Sequence, residues 1–168
     1  MADTKISALT AATSMALTDE LIINNAGTSK KIDFSNLTET GTFTPTIYGS
    51  TTAGTNTYDV KNGHYTRTGK LVHFSIYLDT SAIDAALAGA IRVGGLPYTS
   101  AASIYTPVSV AWMAGISMQS SYMLTAYIEA SNTYINLTET NGATKANITD
   151  ADLAANTQIM LSGCYQSA

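Results

Sequence analysis

Catalysis needs a nucleophile, a base or a metal held at fixed geometry, so the residue types able to supply these come first. The chain has two histidines, His64 and His73, and a single cysteine, Cys164. His73 stands in an alternating stretch with Leu71 and Tyr77, where an imidazole packs or lies at an interface more often than it moves protons. One cysteine and no His-rich cluster leave too few soft ligands for a structural zinc site within one chain. Three symmetry-related histidines on a trimer axis are the one ion site the pattern would permit. Asp150-X-Asp152 lacks the spaced oxygen ligands and final Glu of a calcium loop and reads as the acidic start of a helical turn. Gly94-Gly95-Leu96-Pro97 follows a strand without the Lys and helix of a phosphate loop, and reads as a chain reversal. Cys164, beside Leu161 and Tyr165, reads as a small buried hydrophobe. The expectation is a protein with no catalytic residue, no metal and no cofactor.

The ten tyrosines are the other residues able to contact a ligand. Exposed rings stack on sugars and also anchor protein interfaces. Tyr65, Tyr77, Tyr105, Tyr127 and Tyr134 alternate with core residues. With His73 they form the expected trimer or ligand surface, although ordinary strand packing produces the same pattern.

These side chains need strands to position them. The 168 residues suit one domain of ordinary size with a short arm, and 45 % hydrophobic content is enough to build a core. The body begins near Gly41. In Lys70 to Asp79, Val72, Phe74, Ile76 and Leu78 alternate with Leu71, His73, Ser75 and Tyr77, so the first set belongs inside. Val108, Val110, Trp112, Ala114 and Ile116 share one expected inner face, and Tyr122, Leu124, Ala126 and Ile128 another. Further strands are expected at Ala90 to Val93, Tyr134 to Thr138 and Gln158 to Tyr165. Asn62-Gly63 predicts a tight turn between Thr57 to Lys61 and His64 to Thr68, and Asn141-Gly142 predicts another. Thr149 caps a short helical turn within Asp150 to Ala155. Ser81 to Ala88 suits a helix or an irregular loop equally. This rhythm predicts an all-β fold, an antiparallel β-sandwich of jelly-roll type over 41–168, preceded by an arm and hairpin over 1–40.

In the arm, Leu21 to Ile23 and Ile32 to Phe34 flank a loop rich in Asn, Gly and Ser, which predicts a hairpin with a longer connection. Lys30-Lys31 read as a solvated turn. Two strands bury too little to stand alone, so the hairpin needs a larger surface. Its expected attachment residues are Ile6, Leu9, Leu21, Ile22, Ile23, Ile32 and Phe34. Net charge is −4 with only 12 % charged residues. That argues against nucleic acid as a partner and for apolar surface covered by other subunits, a homotrimer being the expected assembly. No apolar run is long enough for a signal core or a membrane span, and the single cysteine fits assembly in a reducing cytoplasm.

Two stretches carry a resemblance. Ala2-Asp3-Thr4-Lys5-Ile6-Ser7-Ala8-Leu9, Glu20-Leu21-Ile22-Ile23-Asn24 and Lys30-Lys31-Ile32-Asp33-Phe34-Ser35-Asn36-Leu37 resemble the N-terminal attachment segment of phage tail-fibre and virion-associated proteins. Gly41-Thr42-Phe43-Thr44-Pro45-Thr46-Ile47, Gly63 to Val72 and Gly94-Gly95-Leu96-Pro97-Tyr98 are similar to a β-module of phage fibre and head-decoration proteins. The resemblance implies a non-enzymatic protein of the virion surface, partnered by a major capsid protein or a tail protein. With little chain beyond the two modules, the expectation is a trimeric capsid decoration (cement) protein. The alternative is a tail-fibre or tail-tip protein whose tyrosines meet a host surface glycan.

Overall fold

A computed structural model describes residues 20–33 and 37–168. The chain divides into two compact units, Met1–Glu39 and Thr40–Ala168. In the first, β1 (Glu20–Asn25) pairs antiparallel with β2 (Thr28–Asp33). The longer connection expected here is in fact two residues. Ala26 and Gly27 both take positive φ, 52° and 82°, which matches the turn to the twist of the strands. Lys30 and Lys31 lie in β2 rather than in a turn, and Lys31 pairs with Glu20 across the hairpin.

The remaining strands are β3 (Thr38–Phe43), β4 (Thr46–Gly49), β5 (Thr57–Thr68), β6 (Leu71–Ala82), β7 (Ile91–Gly94), β8 (Thr106–Ile116), β9 (Met123–Ile128), β10 (Tyr134–Thr140), β11 (Lys145–Asn147) and β12 (Leu153–Gln166). Their order is β3-β5-β6-β12-β8-β9-β10-β7-β4, with β11 on β10. From β5 round to β4, neighbouring strands run antiparallel. The all-β expectation holds: the fold is a strongly curled antiparallel sheet, with no α-helix among the described residues. The path is unbroken, because β8 belongs to both arms of the curl. Ser109 to Ile116 pair with β12, and Thr106 to Val108 pair with β9.

Curling turns one face of the sheet inward. Val72, Phe74, Ile76 and Leu78 of β6 are buried there with Ile159, Leu161 and Tyr165 of β12, Ile91 and Val93 of β7, and Ile135 and Leu137 of β10. The alternation of β6 is met in full, as is that of Ala126 and Ile128 on β9. Asn141-Gly142 is a turn, with Gly142 at φ 87° and the Asn141 Oδ1 accepting from the N–H groups of Ala143 and Thr144. The helical turn after Thr149 is a single 3-10 turn, Asp150–Asp152; Asp152 Oδ2 accepts from both the N–H and the hydroxyl of Thr149 at 2.8 Å. Ser81 to Ala88 contains no helix, and Leu87 from this loop is buried.

Asn62-Gly63 is not a turn. β5 runs straight through it, Gly63 pairing with Ile76, and the hairpin closes instead at Gly69 (φ 59°) and Lys70. Gly63 is needed for space: a Cβ there would lie 2.7 Å from the Phe43 ring. A residue pair that favours turns is overridden where a ring packs on bare backbone.

Candidate functional site

The site begins with an irregularity in β8. Met160 of β12 faces Trp112, yet the next residue, Leu161, faces Val110, so β8 carries one extra residue at Ala111. Such a bulge reverses the alternation beyond it and re-aims a side chain. Val108 and Val110 stay inside, but Trp112 turns out and is 53 % exposed. The expectation that Trp112 shares the inner face of Val108 is therefore overturned. Gly115, at φ 70°, lets the strand close up again where Thr157 donates to its carbonyl at 2.9 Å.

Turned outward, Trp112 joins a row across three strands: Tyr77 on β6, Met160 on β12, Trp112 on β8. The adjoining row holds Asp79 and Gln158. Their polar atoms form a chain. The Trp112 Nε1–H donates to Gln158 Oε1 at 3.3 Å, Gln158 Nε2 donates to Asp79 Oδ2 at 3.0 Å, and the Tyr77 hydroxyl reaches the same oxygen at 3.4 Å. Each fixes its neighbour's orientation, so an exposed indole edge, an amide and a carboxylate stand in sequence across three strands. Desolvation and the nearby Asp79 charge both raise the Tyr77 hydroxyl above its ordinary pKa. Further along the same face, His73 is exposed opposite Cys164. Cys164 is exposed too, contrary to the buried reading, because its neighbour Tyr165 takes the inward position of β12.

The outer face of the other arm carries a second aromatic group. The Arg92 guanidinium lies 4.3 Å over the Tyr134 ring, and its Nε–H donates to Asn136 Oδ1 at 3.3 Å. Tyr48 meets Tyr134 edge to face at 6.3 Å, and the Tyr134 hydroxyl donates to Glu129 at 3.1 Å. Lys145 lies over Tyr127 and also donates to its hydroxyl at 2.8 Å, while Tyr105, 65 % exposed, stands 6.0 Å from the Tyr127 ring. Cations stacked and hydrogen-bonded in this way rigidify the surface.

The predicted residues thus separate. Tyr105, Tyr127 and Tyr134 gather on one arm, and Tyr77 and His73 on the other. Tyr65 leaves the proposed surface: it packs against the core, edge to face with Tyr98 at 5.7 Å. Of the attachment residues, Leu21 and Ile22 are exposed and Ile32 is half-buried, while Ile6, Leu9 and Phe34 lie outside the described residues, as does the Ile23 side chain. Trp112, Gln158, Asp79 and Arg92 are additions that sequence reasoning missed. For Arg92 the signal is its place between Ile91 and Val93, but no sequence signal announces the bulge that exposes Trp112. Among the described residues no group of three or more His, Cys, Asp or Glu is placed to hold a metal ion.

No family model matches the sequence, and no curated protein matches it. The structure is similar to the crystal structure of the Dettilon tailspike protein (gp208), with a TM-score of 0.67 and 19 % identity over 78 % of this chain. The matched region is 24 % of that protein, so the chain spans about a quarter of its length. At this identity the likeness establishes a shared fold.

Proposed function

We propose that this chain is a structural module of a bacteriophage particle, associated with the tail and without catalytic activity of its own. The observation that carries the proposal is the fold likeness to part of a tailspike over 78 % of the chain. It favours the tail-fibre alternative over the capsid decoration protein first expected, which has no comparable support. Within this reading the curled sheet is a rigid core whose outer faces are free for contacts at the virion surface.

A specific observation favours a glycan as the partner of the Trp112 face. The apolar face of a pyranose stacks on an exposed ring, and its hydroxyls need acceptors and donors fixed beside it. Trp112, Tyr77, Asp79 and Gln158 supply that set. The arrangement serves binding. His73 and His64 lie on β6 and β5 outside the hydrogen-bonded chain.

Gold labelling of the protein on intact particles tests the location. Label at the tail is expected; label spread over the head would overturn the proposal and restore the decoration reading. Titration of the purified chain with host surface polysaccharide, followed through Trp112 emission, tests the partner. No spectral change at millimolar sugar would remove the glycan reading and leave the location untouched.

A further inference from the structure

β8 and β9 pair over only three residues each, Thr106 with Ile128, Pro107 with Tyr127 and Val108 with Ala126. Beyond Val108, β8 continues with β12, while β9 stays with β10 along its whole length. From Ser109 to Ala114 on β8, and from Met123 to Thr125 on β9, one backbone edge therefore has no strand against it among the described residues. Unpaired N–H and C=O groups along a strand are a template for another strand. Between the two edges lies a cleft of about 290 Å³ whose lining includes Val110, Trp112, Met113, Met118, Met123 and Leu124. Three of the six methionines of the chain stand in this lining. Unbranched thioethers adapt to whatever apolar side chain enters, so the cleft suits an extended, uncharged segment.

The chain carries such a segment. β1 has the sequence Glu20-Leu21-Ile22-Ile23-Asn24-Asn25, with one charge at its first residue, and among the described residues it is paired only with β2. Its six residues match the length of the free edge from Ser109 to Ala114. Ile22 is 85 % exposed, and a hairpin of two strands is not stable in water by itself. We propose that β1 of one copy adds to the free edge of β8 in another copy and seats Ile22 in the methionine-lined cleft. The hairpin is then an exchanged arm that joins copies of this chain. β2 does not suit the place, because Lys30, Lys31 and Asp33 would bring charge against thioethers. This contact between copies is independent of where on a particle the protein sits.

The test uses two full-length chains in a Cys164→Ser background, one with Ile22→Cys and one with Met113→Cys, separately tagged and co-expressed. A disulfide between the two tags on a non-reducing gel is expected, at several times the yield obtained when Thr51→Cys replaces Met113→Cys. A yield equal to that control overturns the proposal. So does a chain bearing both cysteines that closes only on itself. If Met113→Cys fails to fold, the exposed Met123→Cys on the facing wall takes its place. In parallel, Ile22→Asp should reduce the solution mass to that of one chain; an unchanged mass would also overturn the proposal.

Discussion

The strand that passes through Asn62-Gly63 makes the sharpest prediction, because a turn and a strand respond differently to one added methyl group. In the structure Gly63 is buried, pairs with Ile76, and has the Phe43 ring where its Cβ would stand, 2.7 Å from the nearest ring carbons. Gly63→Ala gains about 0.5–1 kcal/mol from reduced backbone freedom. It also forces Phe43 or the backbone to shift, for which overpacking typically costs about 1–3 kcal/mol. The net expectation is a loss of about 1–2 kcal/mol. With Phe43→Ala the obstacle disappears, and the same change at 63 should become neutral or stabilising by up to about 1 kcal/mol. The four chains of this cycle, unfolded in urea and followed by far-ultraviolet circular dichroism, should give a coupling energy of about 1–3 kcal/mol. A tight turn at Asn62-Gly63 would instead place Gly63 at positive φ, and alanine there would cost about 1–2 kcal/mol whatever residue stands at 43. A coupling below about 0.5 kcal/mol would refute the strand reading and the packing of Phe43 on Gly63.

Trp112→Ala should cost under about 1 kcal/mol in a urea titration, since the ring is half in solvent, whereas a core tryptophan would cost about 3–5 kcal/mol. The native emission maximum of this single tryptophan should be correspondingly red, and a blue maximum near that of buried indoles would contradict the bulge. Tyr165 donates to the Tyr98 carbonyl at 2.9 Å and accepts from the Tyr98 N–H at 3.2 Å, and burial pushes its pKa up to about 12. The folded chain therefore holds a proton that the unfolded chain releases near pH 10. Stability from this group is complete below pH 10 and declines as pH rises to about 12, by up to ~3 kcal/mol. Tyr165→Phe should flatten that alkaline limb; an unchanged limb would assign the loss to other tyrosines. Gly115→Ala should lower stability by about 1–3 kcal/mol, because φ is positive there and a Cβ would stand 3.0 Å from the Asn156 carbonyl oxygen. Calorimetry showing no loss would mean that the strand can close without this conformation.

Period-two alternation is a local property, and wherever a strand stays regular it separates inward from outward side chains. Val72, Phe74, Ile76 and Leu78 are the plain case: each alternate residue faces the same way, so the apolar set had to lie together. The same reasoning yields the all-β class, and turn chemistry yields the Asn141-Gly142 reversal. Alternation fails at Trp112 because one inserted residue reverses the facing from there until the second irregularity near Gly115, and nothing in Ala111 marks the insertion. Turn chemistry fails at Gly63 because the need for bare backbone comes from Phe43, twenty residues away in sequence and in contact only after folding.

The candidate surface divides in the same way. That the tyrosines would line outer faces was legible for Tyr77, Tyr105, Tyr127 and Tyr134, since it follows from neighbours one residue away. Which of them stand together was decided by strand order, which places β8 beside both β12 and β9 and so separates Tyr77 from Tyr127. The line from Trp112 through Gln158 to Asp79 joins three strands whose members lie 46 and 79 positions apart. By itself the sequence determined the all-β class, the buried faces of strands that stay regular, such as β6 and β9, and a hairpin too small to stand alone. Only the tertiary structure decided where β8 leaves β9, because the register between distant strands is set by how the whole sheet curls to bury its inner face.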